Sequence, residues 1–340
     1  MYECSLISDC KTNKKYFERQ AHENIFSGID LILLEEEDIM FEFNFNVDDK
    51  QENLGLQNET VKEDRKWLQT QSHTVTNRHL EALSEENTVE EVTIGQTVLK
   101  YLSMTSALER LKKMEASADI VPLVTDNTDL VPAVYEGGLK IWECTWDLLN
   151  YMELSCKDLK GCRVLDLGCG AGLPGIYAML HGSHITLQDY NEEVINYITM
   201  PNVLLNSTDI SVLVDGNPET FNESLNKVNS KSCYYSGDWG DLDKLFASKT
   251  GIDLKFDFIL TSETIYNPEC HEKLLALMTN NLKQDGKILL AAKTYYFGVG
   301  GGILQFCDLV KKKGDLNIKT VFTHEEGVRR EIVELTMKEK

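Results

Sequence analysis

The stretch VLDLGCGAGLPG, Val164 to Gly175, constrains this chain more tightly than any other. Strand-forming residues run into a glycine-dense loop, and Pro174 stands where the first turn of a helix would begin. A strand, glycine loop and helix in that order aim backbone N–H groups and a helix N-terminus at whatever binds in the turn. Two glycine patterns overlap here. Gly170-x-Gly172-x-x-Gly175 fits a dinucleotide-binding loop, whereas Asp166-x-Gly168-x-Gly170-x-Gly172 fits the loop of a different cofactor.

Around this loop, strand-like and helix-like segments alternate. LKIWECTWDLLNYMEL places Ile141, Thr145, Leu148, Leu149 and Met152 on one helical face. CRVLDLG, HITLQDY, SCYYSGDW, KFDFILTSE and KILLAAK read as strands. Between them lie helices in PGIYAMLHG, NEEVINYI, DLDKLFASK and PECHEKLLALMTNNLKQDG, the last closing on an Asp-Gly turn. GGILQFCDLVKKKG is a further helix, with Ile303, Phe306, Cys307 and Val310 on one face. Its last turn before Gly314 holds Lys311, Lys312 and Lys313, where the helix dipole favours cations. NIKTVFTH and REIVELTMK lie close enough for an antiparallel hairpin. The pattern is that of an α/β fold: a mostly parallel sheet covered on both faces, with one antiparallel edge.

Residues 1–120 are expected as a poorly patterned, acidic, partly disordered extension, and 121–340 as the folded domain, with an Asn/Ser/Asp-rich insertion at about 209–231. Within the extension, MFEFNFNVDD alternates Phe41, Phe43 and Phe45 with polar residues as a short strand does. Residues 48–92 read as linker or disorder, and Leu99, Leu102, Leu108 and Leu111 suggest helix over 94–113. The segment 121–139, with Pro122, Pro132, Gly137 and Gly138, is extended or looped.

With 340 residues, 42% of them hydrophobic, the chain can bury a substantial core. It has no run of about 18 apolar residues to span a membrane and no apolar leader. The nine cysteines are scattered without a C-x-x-C pair and read as reduced thiols. His181 and His184 have no nearby cysteine or further histidine to complete a metal site, so no metal is expected. A net charge of −21 argues against direct nucleic-acid binding and suits a basic partner.

Charge also separates the two glycine patterns. Asp189 ends HITLQD at a distance suited to ribose hydroxyls, and Asp238 follows the next strand. These features serve either cofactor. Asp166, however, stands inside the loop that would otherwise hold a pyrophosphate, where a carboxylate repels phosphate. S-Adenosylmethionine has no phosphate, and its ammonium and sulfonium are cationic, so the same carboxylate attracts it directly or through water. The expected cofactor is therefore S-adenosylmethionine.

With those features in place, the chain resembles the seven-stranded S-adenosylmethionine-dependent methyltransferases. VYEGGLKIWECTWDLL (Val134–Leu149), LTSETIYNPE (Leu260–Glu269) and YYFGVGGG (Tyr295–Gly302) narrow the resemblance to the histidine protein methyltransferase family, over roughly residues 130–338. The resemblance implies a Rossmann-like seven-stranded, mostly parallel twisted sheet with helices on both faces and an antiparallel edge strand. It implies that Ile141, Trp142, Glu143, Cys144 and Thr145 line the cofactor's approach, with Trp142 near the methionine part and Glu143 meeting its ammonium. Gly168 and Gly170 approach the nucleoside; Gln188, Asp189, Tyr190 and Asn191 surround the ribose and adenine. Asp238 would take the adenine amine and Trp239 its ring face, beside Gly237, while Ser262 touches the cofactor.

Glu263, Tyr266 and Asn267 then face the methyl group's exit as the catalytic candidates. FGVGGG would form the opposite wall, its glycines letting a peptide backbone come close. Members of the family tend to begin near a stretch like MFEFNFNVDD, so residues 1–39 are an extension or Met40 an alternative start.

Methyl transfer from a sulfonium is an in-line displacement that needs a free lone pair. A histidine with its ordinary pKa near 6.5 is mostly neutral at cellular pH, so it needs the right tautomer and alignment more than a strong base. A carboxylate or amide accepting from one ring nitrogen leaves the other aimed at the methyl. Glu263 and Asn267 are the acceptors in view, and Tyr266 a wall or orienting hydroxyl. Glu263 with an aromatic residue three positions on also matches related lysine methyltransferases. Lysine methylation therefore stays open, as does a cofactor-binding ribosome-assembly factor. The resemblance implies a protein substrate, a basic large-subunit ribosomal protein (number three). A monomer in the cytoplasm, nucleus or nucleolus is expected.

Overall fold

The computed structural model describes residues 67–84, 88–113, 130–131, 133–207, 218–249 and 255–339. The expected strand at 41–45 and the question of Met40 lie outside them, as does 209–217 of the expected insertion.

In chain order, β1 (Gln71–His73), α1 (Asn77–Ser84), β2 (Val89–Ile94), β3 (Thr97–Leu102) and α2 (Met104–Lys113) come first. After them stand α3 (Glu143–Ser155), β4 (Arg163–Leu167), α4 (Leu173–Leu180), β5 (His184–Asp189) and α5 (Met200–Ser207). Then follow α6 (Pro218–Asn229), β6 (Ser232–Ser236), α7 (Trp239–Ser248), β7 (Phe256–Ser262) and α8 (His271–Asn281). The last elements are β8 (Leu282–Lys293), α9 (Ile303–Lys313), β9 (Leu316–His324) and β10 (Arg330–Met337).

Among the described residues, the main sheet has eight strands in the order β1-β6-β5-β4-β7-β8-β10-β9. β6, β5, β4, β7 and β8 run parallel, β10 is antiparallel to both β8 and β9, and β1 is antiparallel to β6. The seven expected strands are all present, joined by an eighth. β1 escapes a pattern reading because its three residues, Gln-Ser-His, carry no apolar alternation. Backbone pairing holds it instead, aided by His73 Nε2 to Ser236 Oγ at 2.7 Å and by Thr70 N–H donating to Asp241 Oδ2 at 2.9 Å.

Other expectations need correction here. Part of the expected linker at 48–92 is ordered structure: β1, α1 and β2 all lie within or across it. A boundary at 120/121 therefore does not separate extension from sheet. The expected helix over 94–113 divides into β3 and α2, because Gly95, at φ +60°, turns the chain between β2 and β3 and makes a hairpin. Leu99 and Leu102 are buried from the strand, Leu111 from the helix. The described part of the expected insertion is α6, which buries Leu225 and Val228 before β6. The Asp285-Gly286 pair belongs to β8 rather than to a turn: a Cβ on Gly286 would stand 2.9 Å from the Phe256 carbonyl of the neighbouring strand.

Alternation along the strands divides the core between the two faces. Val164, Leu260, Leu289 and Ile332 join the cluster under α3, α4 and the Ile195–Ser207 region. Leu165, Ile259, Leu290 and Val333 join the cluster under α7, α8 and α9. From β4 the chain builds outward through β5 and β6, then crosses back to β7 and β8 on β4's other side. Connections leaving β4 and β7 thus go opposite ways, and a crevice opens at the C-terminal ends of these strands.

Candidate active site

That crevice holds a cleft of about 910 Å³. Its floor is the loop after β4, where Gly168, Gly170 and Gly172 all have left-handed backbone, with φ +61°, +49° and +76°. Space adds to the demand: a Cβ on Gly168 would lie 2.4 Å from Thr264 Cγ2, and one on Gly170 would lie 3.0 Å from the Gly138 carbonyl.

Two buried carboxyls hold this loop. Asp166 Oδ2 accepts from the Gly175 N–H and Asp189 Oδ2 from the Gly170 N–H, both at 2.9 Å. Burial pushes Asp166 up to about 7 and Asp189 up to about 6, with these N–H donors opposing it. Both line the cleft. The structure shifts the weight of Asp166, however: its bonded oxygen faces the first turn of α4, so it shapes the loop as well as charging it.

On the next loop, Tyr190 lines the cleft and donates its hydroxyl to the Ala133 carbonyl at 3.1 Å. Gly237, Asp238 and Trp239 form the following wall. The Asp238 carboxylate expected on an adenine amine is already engaged, capping α7 through the Gly240 N–H at 3.0 Å and pairing with Lys273 at 2.7 Å. Gln188 and Asn191 do not line the cleft. Gln188 Nε2 donates to the Gly237 carbonyl at 2.9 Å, and its Oε1 accepts from the Trp239 indole at 2.7 Å, so it fixes the tryptophan. Asn191 ties down the 133–136 segment, donating to the Val134 carbonyl at 2.7 Å and accepting from the Glu136 N–H at 3.1 Å.

The start of α3 also splits the expected set. Ile141, Trp142 and Thr145 line the cleft; Glu143 and Cys144 do not. Ile141 and Trp142 precede the helix, Trp142 in extended backbone at its N-cap, and of the first helical turn Thr145 lines the cleft. Glu143 pairs instead with Lys293, Oε2 to Nζ at 3.3 Å. Burial would raise its carboxyl, but the Lys293 ammonium holds it below its ordinary value. Cys144 is buried against the Glu263 carboxyl.

Ser262, Glu263, Tyr266 and Asn267 close the cleft at the end of β7. Glu263 sits at φ +59°, a left-handed conformation rare for a side-chain-bearing residue and typical of strained functional positions. Its buried carboxyl accepts from the Tyr296 hydroxyl, and Oε1 faces Lys293 Nζ at 4.0 Å. Burial pushes Glu263 up, against the pull of Lys293 and Tyr296. Tyr266 donates its hydroxyl to Glu136, and burial beside that carboxylate pushes the phenol far up. Asn267 Oδ1 accepts from the Glu269 N–H at 3.0 Å, capping the turn that leads into α8. Beside the main cleft lies a small compartment lined by Leu130, Glu136, Trp142, Glu263, Tyr266 and Tyr296.

The FGVGGG segment differs from expectation. Its glycines admit neighbouring backbone: the Gly301 N–H donates to the Tyr266 carbonyl at 3.0 Å, and a Cβ there would stand 2.2 Å from the Ile265 carbonyl. The wall residue here is the buried Tyr296, which precedes the segment, while Phe297 within it is exposed.

Sequence reasoning assigned no role to Glu136, Lys140, Trp67, Lys293 or Tyr296. Glu136 and Lys140 fall inside the VYEGGLK motif, Lys293 ends a strand and Tyr296 follows it, which was the available signal. Trp67, which meets Tyr190 edge-on at 6.3 Å, comes from a polar stretch without one.

Carboxyls at Asp166 and Asp189, with the aromatic residues Trp142, Tyr190 and Trp239, line a cleft whose only cation among the described residues is Lys140. That donor set suits an aromatic, cationic ligand without phosphate, and S-adenosylmethionine fits it.

A family model described as Lysine methyltransferase matches residues 133–297. The chain is similar to Histidine protein methyltransferase 1 homolog of Dictyostelium discoideum, 48% identical over 215 residues, covering 63% of this chain and 62% of that one. It is similar to Histidine protein methyltransferase 1 of Schizosaccharomyces pombe, 33% identical over 238 residues, covering 64% and 70%. It is also similar to Protein N-lysine methyltransferase METTL21A of Xenopus tropicalis, 25% identical over 193 residues, covering 56% and 78%. The match thus spans about three fifths of the Dictyostelium relative, 62% of its length.

Proposed function

The chain belongs to the histidine protein methyltransferase family, and we propose on that premise that it methylates a histidine side chain of a protein from S-adenosylmethionine. A basic large-subunit ribosomal protein is the acceptor we favour, which the net charge of −21 supports by complementarity.

The observation that carries the reading is the compartment beside the main cleft, with aromatic walls and two carboxyl groups. Its lining suits a flat, uncharged ring with one N–H to donate. The bound cofactor would supply a methyl group made electrophilic by its sulfonium. Gly168, Gly170, Asp189, Tyr190 and Trp239 would hold its nucleoside, and Trp142, Thr145 and Ser262 the part leading to the exit.

Glu136 or Glu263 would accept the imidazole N–H, fixing the tautomer and leaving the other ring nitrogen's lone pair free. Asn267 yields that role, because its side-chain oxygen already caps a turn. Tyr266 and Tyr296, each donating to one of these carboxyls, would orient them and wall the ring.

Lysine methylation is the second reading. The family model's description favours it, as does the raised Glu263 carboxyl, which could take up a lysine's proton. Tritiated S-adenosylmethionine, added with the protein to lysate from cells lacking it, separates the two after acid hydrolysis and amino-acid analysis. Methyl-histidine is expected. Methyl-lysine without methyl-histidine would sink the reading, and the labelled protein's identity tests the ribosomal acceptor.

A further inference from the structure

Behind the acceptor compartment stands a buried cation that the mechanism above does not use. Lys293 ends β8, only 7% exposed at its side chain, with Nζ 3.3 Å from Glu143 Oε2 and 4.0 Å from Glu263 Oε1. Its ammonium also lies 5.6 Å from the ring centre of Trp142 and 6.0 Å from that of Tyr296. Trp142, Glu263 and Tyr296 are three of the compartment's lining residues. The cation is therefore one side chain away from whatever enters.

Other charges near it are committed. Arg330, its register partner across β10, forms a two-pronged pair with Asp147 at 2.6 and 3.3 Å. Glu331, one step along β10, accepts from Thr294 Oγ1 at 2.9 Å and faces Arg329 at 3.5 Å. The Cys144 thiol lies against Glu263. Glu136, which also lines the compartment, accepts from the Ala133 N–H and the Tyr266 hydroxyl.

Two carboxylates without a cation would draw a protonated amine into this space. A fixed ammonium between Glu143 and Glu263 offsets their charge and repels a second ammonium, while an uncharged imidazole meets no such penalty. Resting on the proposed reading, we infer that Lys293 is a specificity-determining positioning residue: it keeps the compartment selective for neutral imidazole over the lysine ammonium. The same field favours the unprotonated form of the bound ring.

The test uses the full chain with tritiated S-adenosylmethionine and lysate from cells lacking the protein, reading label as methyl-histidine and methyl-lysine across pH. Lys293→Met leaves the carboxylates uncompensated and should favour a protonated ring. The acid limb of the methyl-histidine rate should then move up by about one pH unit, and the methyl-lysine to methyl-histidine ratio should rise about tenfold. Glu143→Gln exposes more of the cation's field and should move the limb the other way. Lys293→Arg should restore the wild-type limb.

Opposite shifts in Lys293→Met and Glu143→Gln are outside what general loosening produces. Should Lys293→Met fail to fold, the sign of the Glu143→Gln shift decides. Limbs that stay in place overturn the inference, as does a moving limb with an unchanged ratio or a Lys293→Arg variant that behaves like Lys293→Met. Failure of the parent reading looks different: the unaltered protein would then yield no methyl-histidine at all.

Discussion

At the scale of single residues, the buried aspartates of the glycine loop combine structure and charge. Asp166 stands at about 7 in the folded protein, raised by burial from an ordinary 3.8. Between those values the folded state holds a proton that the unfolded chain releases. Its contribution to stability is therefore full below about pH 4 and lost as pH rises through about 7. Asp166→Asn keeps an oxygen for the Gly175 N–H and removes the titration. Its melting temperature relative to wild type should rise from pH 5 to pH 8, by the equivalent of a few kcal/mol at most. Thermal unfolding at both pH values checks this, and parallel pH dependence would contradict it. Asp189→Ala removes the acceptor of the Gly170 N–H. Calorimetry should find S-adenosylmethionine binding weakened about tenfold or more, with the circular dichroism spectrum retained.

Elements meet at two points where backbone or amide contacts leave little tolerance. The loop after β8 lies on the loop after β7 so closely that a Cβ on Gly301 would enter the Ile265 and Tyr266 carbonyls, at 2.2 and 2.3 Å. Gly301→Ala should therefore push Tyr266 out of the compartment. Methyl transfer should fall about a hundredfold or more, with cofactor affinity changed far less, because the nucleoside loops are elsewhere. Paired kinetic and binding measurements read that split. On the opposite face, Asn202 on α5 accepts from the Leu102 N–H of β3 and donates to the Ala171 carbonyl, both at 2.9 Å. It joins the β2–β3 hairpin to the glycine loop. Asn202→Ala leaves both partners buried and unsatisfied, so about 2–4 kcal/mol of stability should be lost. Hydrogen exchange should show residues 97–102 losing protection before the central strands.

For the whole molecule, charge and topology act at different ranges. A net charge of −21 on 340 residues should draw a basic acceptor by long-range attraction. Raising salt from about 50 to 300 mM should then lower kcat/KM for the protein acceptor several-fold, while affinity for the small cofactor changes less. A salt-independent kcat/KM would remove charge steering from the account.

Legibility in the sequence followed the range of the interactions. The strand, glycine loop and helix at 164–180 could be read because hydrophobic period, positive-φ glycines and a helix-starting proline are local signals. So could the seven strands whose alternating apolar residues fill two core faces. The chemistry of Asp166 and Asp189 was visible as charge at strand ends. Tertiary structure alone decided that β1 adds an eighth strand, since backbone pairing needs no side-chain pattern. It decided that Gln188 and Asn191 brace the walls and that Glu143 turns from the cleft toward Lys293, because partner geometry lies beyond residue type. Lys293 and Glu143 are 150 positions apart in sequence, and no local rule joins them. The sequence by itself determined the sheet and the kind of ligand it cradles. The fold decided which charges meet behind the acceptor compartment, since only packing brings distant side chains within reach of one another.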